Sequence, residues 1–239
     1  MIFVTGVSRG LGKAVAELFL EKGERVVGIG RSSSIDHENF SFISCDLSDL
    51  DAVRNLKFDA LIGESSSEGV TLVNNAGIIG EVMRLSDMDE IDVDRVMTVN
   101  VSAPAILTQK IYKNVENKDA FTLVNISSGA GRRAIPSWAS YCASKAALNM
   151  HTETFFIEEQ EKGNAPKVYA VAPGVIDTGM QDQIRAAAPE NFSSSENFVA
   201  LKEEDKLFSP KEAAKRLYRL LEMKYVGDVF YDLRDISVQ

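Results

Sequence analysis

The sequence predicts an open α/β fold: one doubly wound, mostly parallel sheet of seven strands with helices on both faces. Three observations carry this expectation. Short apolar runs alternate with amphipathic ones, beginning with Ile2 to Val4 and then Leu11, Val15, Leu18 and Phe19 on one helical face. A glycine-rich turn, Thr5-Gly6-Val7-Ser8-Arg9-Gly10-Leu11-Gly12, joins the first strand to the first helix. Later strands end in small or polar residues, at the carboxyl edge where such sheets bind ligands.

Composition bounds the rest. A chain of 239 residues with 45% hydrophobic content fills one large core, so residues 1–239 are read as a single domain. A formal charge of −9 argues against nucleic acid or an anionic membrane as partner and leaves a small soluble molecule. No apolar run is long enough for a bilayer and MIFVTGVSRG does not read as a signal peptide, so a cytoplasmic protein is expected. Cys45 and Cys142 are read as reduced and structural, and with His37 and His151 they form no metal-ligand cluster.

In order, the glycine turn is a phosphate cradle: Gly6 permits the sharp turn, Gly10 and Gly12 permit close approach, and the following helix offers free N–H groups. The second strand, Arg25 to Ile29, ends at Gly30-Arg31, where an NAD site would usually carry a carboxylate for the ribose 2′-OH. Arg31 and Arg9 instead suit a 2′-phosphate, so NADP (NADPH) is the expected cofactor. The link to the third strand, Phe40 to Ser44, is too short for a full helix. Asp46-Leu47 closes that strand beside the expected adenine, a modest helix covers Ser48 to Phe58, and Ser65 to Gly69 is a polar turn. Val70 to Val73 leads to Asn74-Asn75-Ala76-Gly77, small enough for backbone to pass a flat ligand. Helices follow from about Asp87 to Asn100 and from Val101 to Val115; Asn100 is either a satisfied core amide or part of a site.

The fifth strand, Phe121 to Ile126, delivers Ser127 and Ser128, and a helix spans Tyr141 to Glu161. Tyr141 and Lys145 are four apart, hence on one face, so the ammonium is expected to lower the phenol's pKa toward a useful range for proton transfer. The sixth strand, Lys167 to Ala172, opens into Pro173-Gly174-Val175-Ile176-Asp177-Thr178 and a long polar segment to Phe208, read as a lid. Ser209-Pro210-Lys211-Glu212 caps a helix through Leu217, Leu220 and Leu221, and Val226 to Tyr231 is the last strand. Trp138, Met180, Phe192 and Phe198 suit the walls of a pocket for a flat substrate, and equally suit ordinary packing.

These motifs together resemble the short-chain dehydrogenase/reductase family, with its single Rossmann-type domain, over essentially the whole chain. NISSGAG, APGVIDTGMQDQIR and FVALKEEDKLFSP resemble more narrowly its sepiapterin-reductase-like and benzil-reductase-like members. The resemblance implies an NADP-dependent oxidoreductase acting on a ketone or 1,2-dicarbonyl. Ser128 would hydrogen-bond the carbonyl, Tyr141 would donate the proton, Lys145 would hold the nicotinamide ribose, and Asn100 would support a water in a relay behind Lys145. Ser8, Arg9, Leu11 and Arg31, Asp46 and Leu47, and Asn75 to Gly77 would hold the cofactor. Pro173, Gly174, Val175 and Thr178 would line its nicotinamide end, with Trp138 and Met180 on the substrate. The helices at 101–115 and 141–161 resemble the pair through which members form a homodimer or homotetramer. Two departures stand out: the short link after Arg31, and Tyr231-Asp232-Leu233-Arg234 where many members have an Asp-Gly-Gly turn. A non-catalytic NADP-binding regulator and an NAD-dependent alcohol dehydrogenase are the alternative readings.

Overall fold

The computed structural model describes residues 1–63, 69–188, 190–204 and 206–238. Seven strands pair in the order β3-β2-β1-β4-β5-β6-β7, every pair parallel. They are β1 (Ile2–Thr5), β2 (Val26–Gly30), β3 (Phe40–Ser44), β4 (Val70–Asn74), β5 (Phe121–Ile126), β6 (Lys167–Ala172) and β7 (Phe230–Asp232). The chain winds outward from β1 in one direction, then returns past β1 to β4 and winds in the other. The carboxyl ends of β1 and β4 therefore flank a switch point, where open α/β sheets form a binding crevice.

Side-chain alternation assigns the two faces. Phe3, Leu72, Leu123 and Val168 turn to the face covered by α2 (Leu50–Asn55), α3 (Asp59–Gly63), α5 (Ala103–Asn114) and α6 (Ala139–Glu161). Val4, Val73, Val124 and Val171 turn to the other, under α1 (Gly10–Glu21) and α9 (Pro210–Glu222). Both faces are thus dry, which is why the inner strands read as continuous apolar runs.

Several boundaries differ from expectation. The helices on either side of Asn100 form one rod: α4 (Glu90–Met97) passes through a π turn (Thr98–Ser102) into α5. Pro104 has no N–H for the Asn100 carbonyl, and the Ala103 N–H reaches back to Thr98 instead, which inserts the wide turn. The helix expected over Ser48 to Phe58 is only α2, capped by Asp49, whose carboxylate accepts from the N–H groups of Asp51 at 2.9 Å and Ala52 at 3.0 Å. The last strand begins at Phe230 rather than Val226, because Gly227 turns in the left-handed region (φ 87°) and pairing starts at Phe230 opposite Ala170. The turn expected at 65–69 lies, except for Gly69, outside the described residues. No helix is long and apolar enough to cross a membrane among those described.

The segment after β6 is structured. It carries α7 (Gly179–Arg185) and α8 (Ser195–Glu203) and is closed at its base by Phe208 N–H donating to the Val175 carbonyl at 2.9 Å. Asp177 ties the two helices together, pairing with Arg185 and Lys202.

Candidate active site

The switch point is stapled by Thr5. Its Oγ1 accepts from the N–H groups of Asn75 and Ala76, both at 2.9 Å, and the Asn75 amide donates to the Thr5 carbonyl at 2.9 Å. Gly6 and Gly10 sit at φ 74° and 61°, where a side chain would strain the turn. A Cβ on Gly12 would overlap the Asn75 amide and the Gly6 carbonyl. Arg9 precedes α1 without a side-chain cap, so the helix's leading N–H groups remain available to an anion.

A cavity of about 520 Å³ runs along this carboxyl edge. Toward β2 and β3 its walls are Ser8, Leu11, Arg31, Asp46 and Leu47; Gly6, Gly10, Asn75, Ala76 and Gly77 lie at the centre, and the Arg9 guanidinium lies against Gly179 at the start of α7. Toward β5 and β6 are Ser128, Tyr141, Lys145, Pro173, Gly174, Val175 and Thr178, with Trp138 and Met180 beyond. Two expected residues are absent from its walls. Gly12 serves the packing of α1 onto the turn. Asn100 is wholly buried: its amide donates to the Ile78 carbonyl at 2.8 Å and Ser144 Oγ at 3.0 Å, and Oδ1 accepts from Ile78 N–H at 2.9 Å. Its side-chain amide is satisfied and braces the backbone just after Gly77.

Ser128 follows β5 in extended backbone, its Oγ accepting from Ala130 N–H at 3.1 Å. Tyr141 and Lys145 stand one turn apart on α6, and Lys145 Nζ donates to the Ile126 carbonyl at 2.8 Å. Burial pushes the Tyr141 phenol up to about 12; the Ser128 side chain, hydrogen-bonding it, pulls it part of the way back. Burial likewise brings the Lys145 ammonium down to about 8. The direction is opposite to the lowering expected from Lys145, because desolvation of a phenolate outweighs the pull of Ser128. Near neutral pH the phenol holds its proton.

The far wall is aromatic. Trp138 stacks on Phe192, with ring centres 5.5 Å apart and planes 18° apart, and leans on Phe198 at 5.2 Å. Phe198 reaches the cavity; Phe192, wholly buried, backs the indole. Ser137, left-handed at φ 70°, donates its hydroxyl to the Asn191 carbonyl and so fixes Trp138 against the segment between α7 and α8. Sequence reasoning passed over Gln181, Arg95 and Arg133, which also line the cavity, as does the Asp232–Arg234 pair from the segment that departs from the family's turn. Asp232 falls opposite Ala172 in the sheet register, a signal that needed the true start of β7.

The family model for short chain dehydrogenases matches residues 1–189. This chain belongs to the short chain dehydrogenase family. Relatives include the benzil reductases ((S)-benzoin forming) of Bacillus cereus, 37% identical over 92% of this chain and 93% of the relative, and of Bacillus subtilis (strain 168), 33% identical over 98% of each. A short chain dehydrogenase/reductase from Saccharomyces cerevisiae, YIR035C, superposes with a TM-score of 0.83 at 27% identity, covering 98% of this chain and 96% of that one. Similar solved structures include ElxO with NADP bound (TM-score 0.77, 27% identity, 97% and 96% covered). Another is a 4-hydroxyisoleucine dehydrogenase mutant with NADH and succinate (TM-score 0.78, 25%, 97% and 96%). The family's members are oxidoreductases that work with NAD or NADP.

Proposed function

We propose that this chain is an NADPH-dependent carbonyl reductase that acts on a ketone or 1,2-dicarbonyl of benzil type, with Tyr141 as proton donor. The observation that carries the reading is one cavity lined by two hydroxyls and a buried amine, Ser128, Tyr141 and Lys145, by Arg31 near the end of β3, and by Arg9, whose guanidinium lies against Gly179. The residues fit the cofactor: the uncapped start of α1 and the side-chain-free surface at Gly6 and Gly10 suit a pyrophosphate, and the arginines suit a 2′-phosphate. NADPH, when bound, supplies the hydride.

As negative charge develops on the carbonyl oxygen, the Ser128 and Tyr141 hydroxyls donate to it, and the phenol gives up its proton there. Burial raises the phenol to about 12, so it carries that proton near neutral pH. Lys145, charged below about pH 8, stabilises the phenolate that remains and stands ready to hold the ribose. Trp138 and Met180 close the apolar side against a flat substrate. The relatives' benzil reductase activity supports this choice of substrate class. The reaction suits the cytoplasm, where an NADPH pool drives reduction. A homodimer through α5 and α6 is part of the reading, supported by Met150 and Ile157, which are 63% and 48% exposed on α6.

Purified protein assayed for NADPH oxidation against diketones, quinones and pteridine-type carbonyls tests the proposal. Turnover of a diketone that falls at least ~100-fold in Tyr141→Phe is expected. No oxidation with any compound, or a Tyr141→Phe variant as active as wild type, would sink it.

A further inference from the structure

Gln181 sits on the first turn of α7, is 7% exposed, and lines the substrate end of the cavity beside Met180 and Ile184. Its carboxamide has no hydrogen-bond partner among the described residues, and Oε1 is buried outright. The indole N–H of Trp138, across the same lobe, is in the same condition. Two buried polar groups without partners in one pocket are unusual, because each costs stability until something answers it.

The helix that carries Gln181 is pinned. Gln181 N–H donates to the Thr178 carbonyl at 2.8 Å, Gln183 Nε2 donates to the Gly80 carbonyl at 2.8 Å, and Arg185 pairs with Asp182 at 2.5 Å. The backbone that carries the carboxamide is thus fixed, and the cluster of Ile79, Ala130, Trp138, Ile184 and Phe192 that shares this lobe is apolar apart from the indole N–H. Ser128 and Tyr141 already supply donors enough for one carbonyl oxygen. A further amide on an otherwise apolar wall answers to a further polar atom on the ligand.

We infer that Gln181 hydrogen-bonds a second oxygen of the substrate, adjacent to the carbonyl being reduced, so that the site selects vicinal dicarbonyls over mono-ketones. This rests on the reductase reading above. Half a turn about the terminal bond of the side chain exchanges its oxygen and NH2, so the amide can donate to a second carbonyl. A substrate held by one carbonyl presents the other to Tyr141, and the product keeps the first as a ketone.

The test compares benzil with deoxybenzoin, which has the same skeleton with one carbonyl replaced by methylene. Gln181→Leu should lower kcat/KM about tenfold more for benzil than for deoxybenzoin. Trp138 is the single tryptophan and lines this lobe, so quenching of its fluorescence gives the Kd for benzil without turnover, expected to weaken about tenfold in the variant. Equal losses on both compounds, or no loss on either, overturn the inference and leave the reductase reading intact. Wild-type protein that turns over neither compound overturns the reductase reading, and the quench then decides the inference alone. Gln181→Met, unbranched and of similar length, takes the place of Gln181→Leu should the latter not fold.

Discussion

Lys145 Nζ lies 5.7 Å from the centre of the Tyr141 ring, and the two side chains, 4% and 7% exposed, share one face of α6. The same burial moves their pKa values in opposite directions, because it penalises whichever form is charged. For lysine that is the protonated form, for tyrosine the deprotonated one. The pair therefore combines a firmly held phenol proton with an ammonium under strain.

Lys145→Met should stabilise the fold while abolishing reduction. Bringing the ammonium from 10.5 to about 8 costs roughly 3 kcal/mol below pH 8, and methionine removes that cost. The lost hydrogen bond to Ile126 offsets about 1–2 kcal/mol of it. A net gain of about 1–2 kcal/mol in urea unfolding at pH 7, with turnover down at least ~100-fold, is expected. Net destabilisation would mean that the bond to Ile126 outweighs burial.

The pH dependence of wild-type stability carries the same two signs. The unfolded chain holds the lysine proton to higher pH than the folded one, so the Lys145 contribution rises as pH climbs from about 8 to 10.5. The folded chain holds the Tyr141 proton longer, so its contribution falls from 10.0 toward about 12. Urea midpoints measured across this range on wild type and Lys145→Met should show the first rise in wild type only.

Asn100→Ala is expected to cost about 2–4 kcal/mol, because it strips partners from both the N–H and the carbonyl of Ile78 in a buried place. The loop that carries Gly77 and Ile79 past the cavity loses its brace, so kcat should fall as well.

Much of this was legible in the sequence, for reasons that particular residues make plain. Tyr141, Lys145 and Ser128 were found because a four-residue helical spacing and a strand's carboxyl end are local patterns. The tight turn at Gly6 and Gly10 was legible because its left-handed backbone excludes side chains there. Gln181 and Arg133 were missed because their place on the cavity depends on how the segment after β6 folds back over the sheet, which no local spacing records. The sign of the Tyr141 shift was missed because burial depth is a tertiary quantity, whereas the proximity of Lys145 is not. The buried ladder in which the Asn74 amide donates to Asn125 at 2.8 Å, and the Asn125 amide to Thr152 at 2.8 Å, is invisible for the same reason: its members come from β4, β5 and α6.

Gly12→Ala should fail where Gly23→Ala does not. The added Cβ at Gly12 overlaps the Asn75 amide and the Gly6 carbonyl, both locked into the switch point, whereas Gly23 has open space around it. Gly23 sits at φ 84°, so alanine there costs about 1 kcal/mol of backbone strain and no more. For Gly12→Ala, loss of NADPH binding in a titration, or a drop of more than about 2 kcal/mol in stability, is expected. Wild-type affinity in Gly12→Ala would show that α1 can shift on the turn.

Arg31→Asp should turn the cofactor preference toward NADH. Arg31 follows β2 at the cavity's edge, and the Arg31 guanidinium contributes to holding the Asp46 carboxyl low, after the hydrogen bonds from Ser48. That places the cation close to the end of β3, on the side of the crevice where an adenosine 2′-substituent belongs. An aspartate there repels a 2′-phosphate and accepts from a 2′-OH, so affinity for NADPH should fall about 10- to 100-fold while that for NADH rises. Arg9→Ala removes the second cation and should weaken NADPH alone, by about tenfold, with no gain for NADH. Titrations of both variants with both cofactors separate the two roles; an unchanged preference in Arg31→Asp would leave the 2′-phosphate without its main partner and return the choice of cofactor to the NADH-dependent reading.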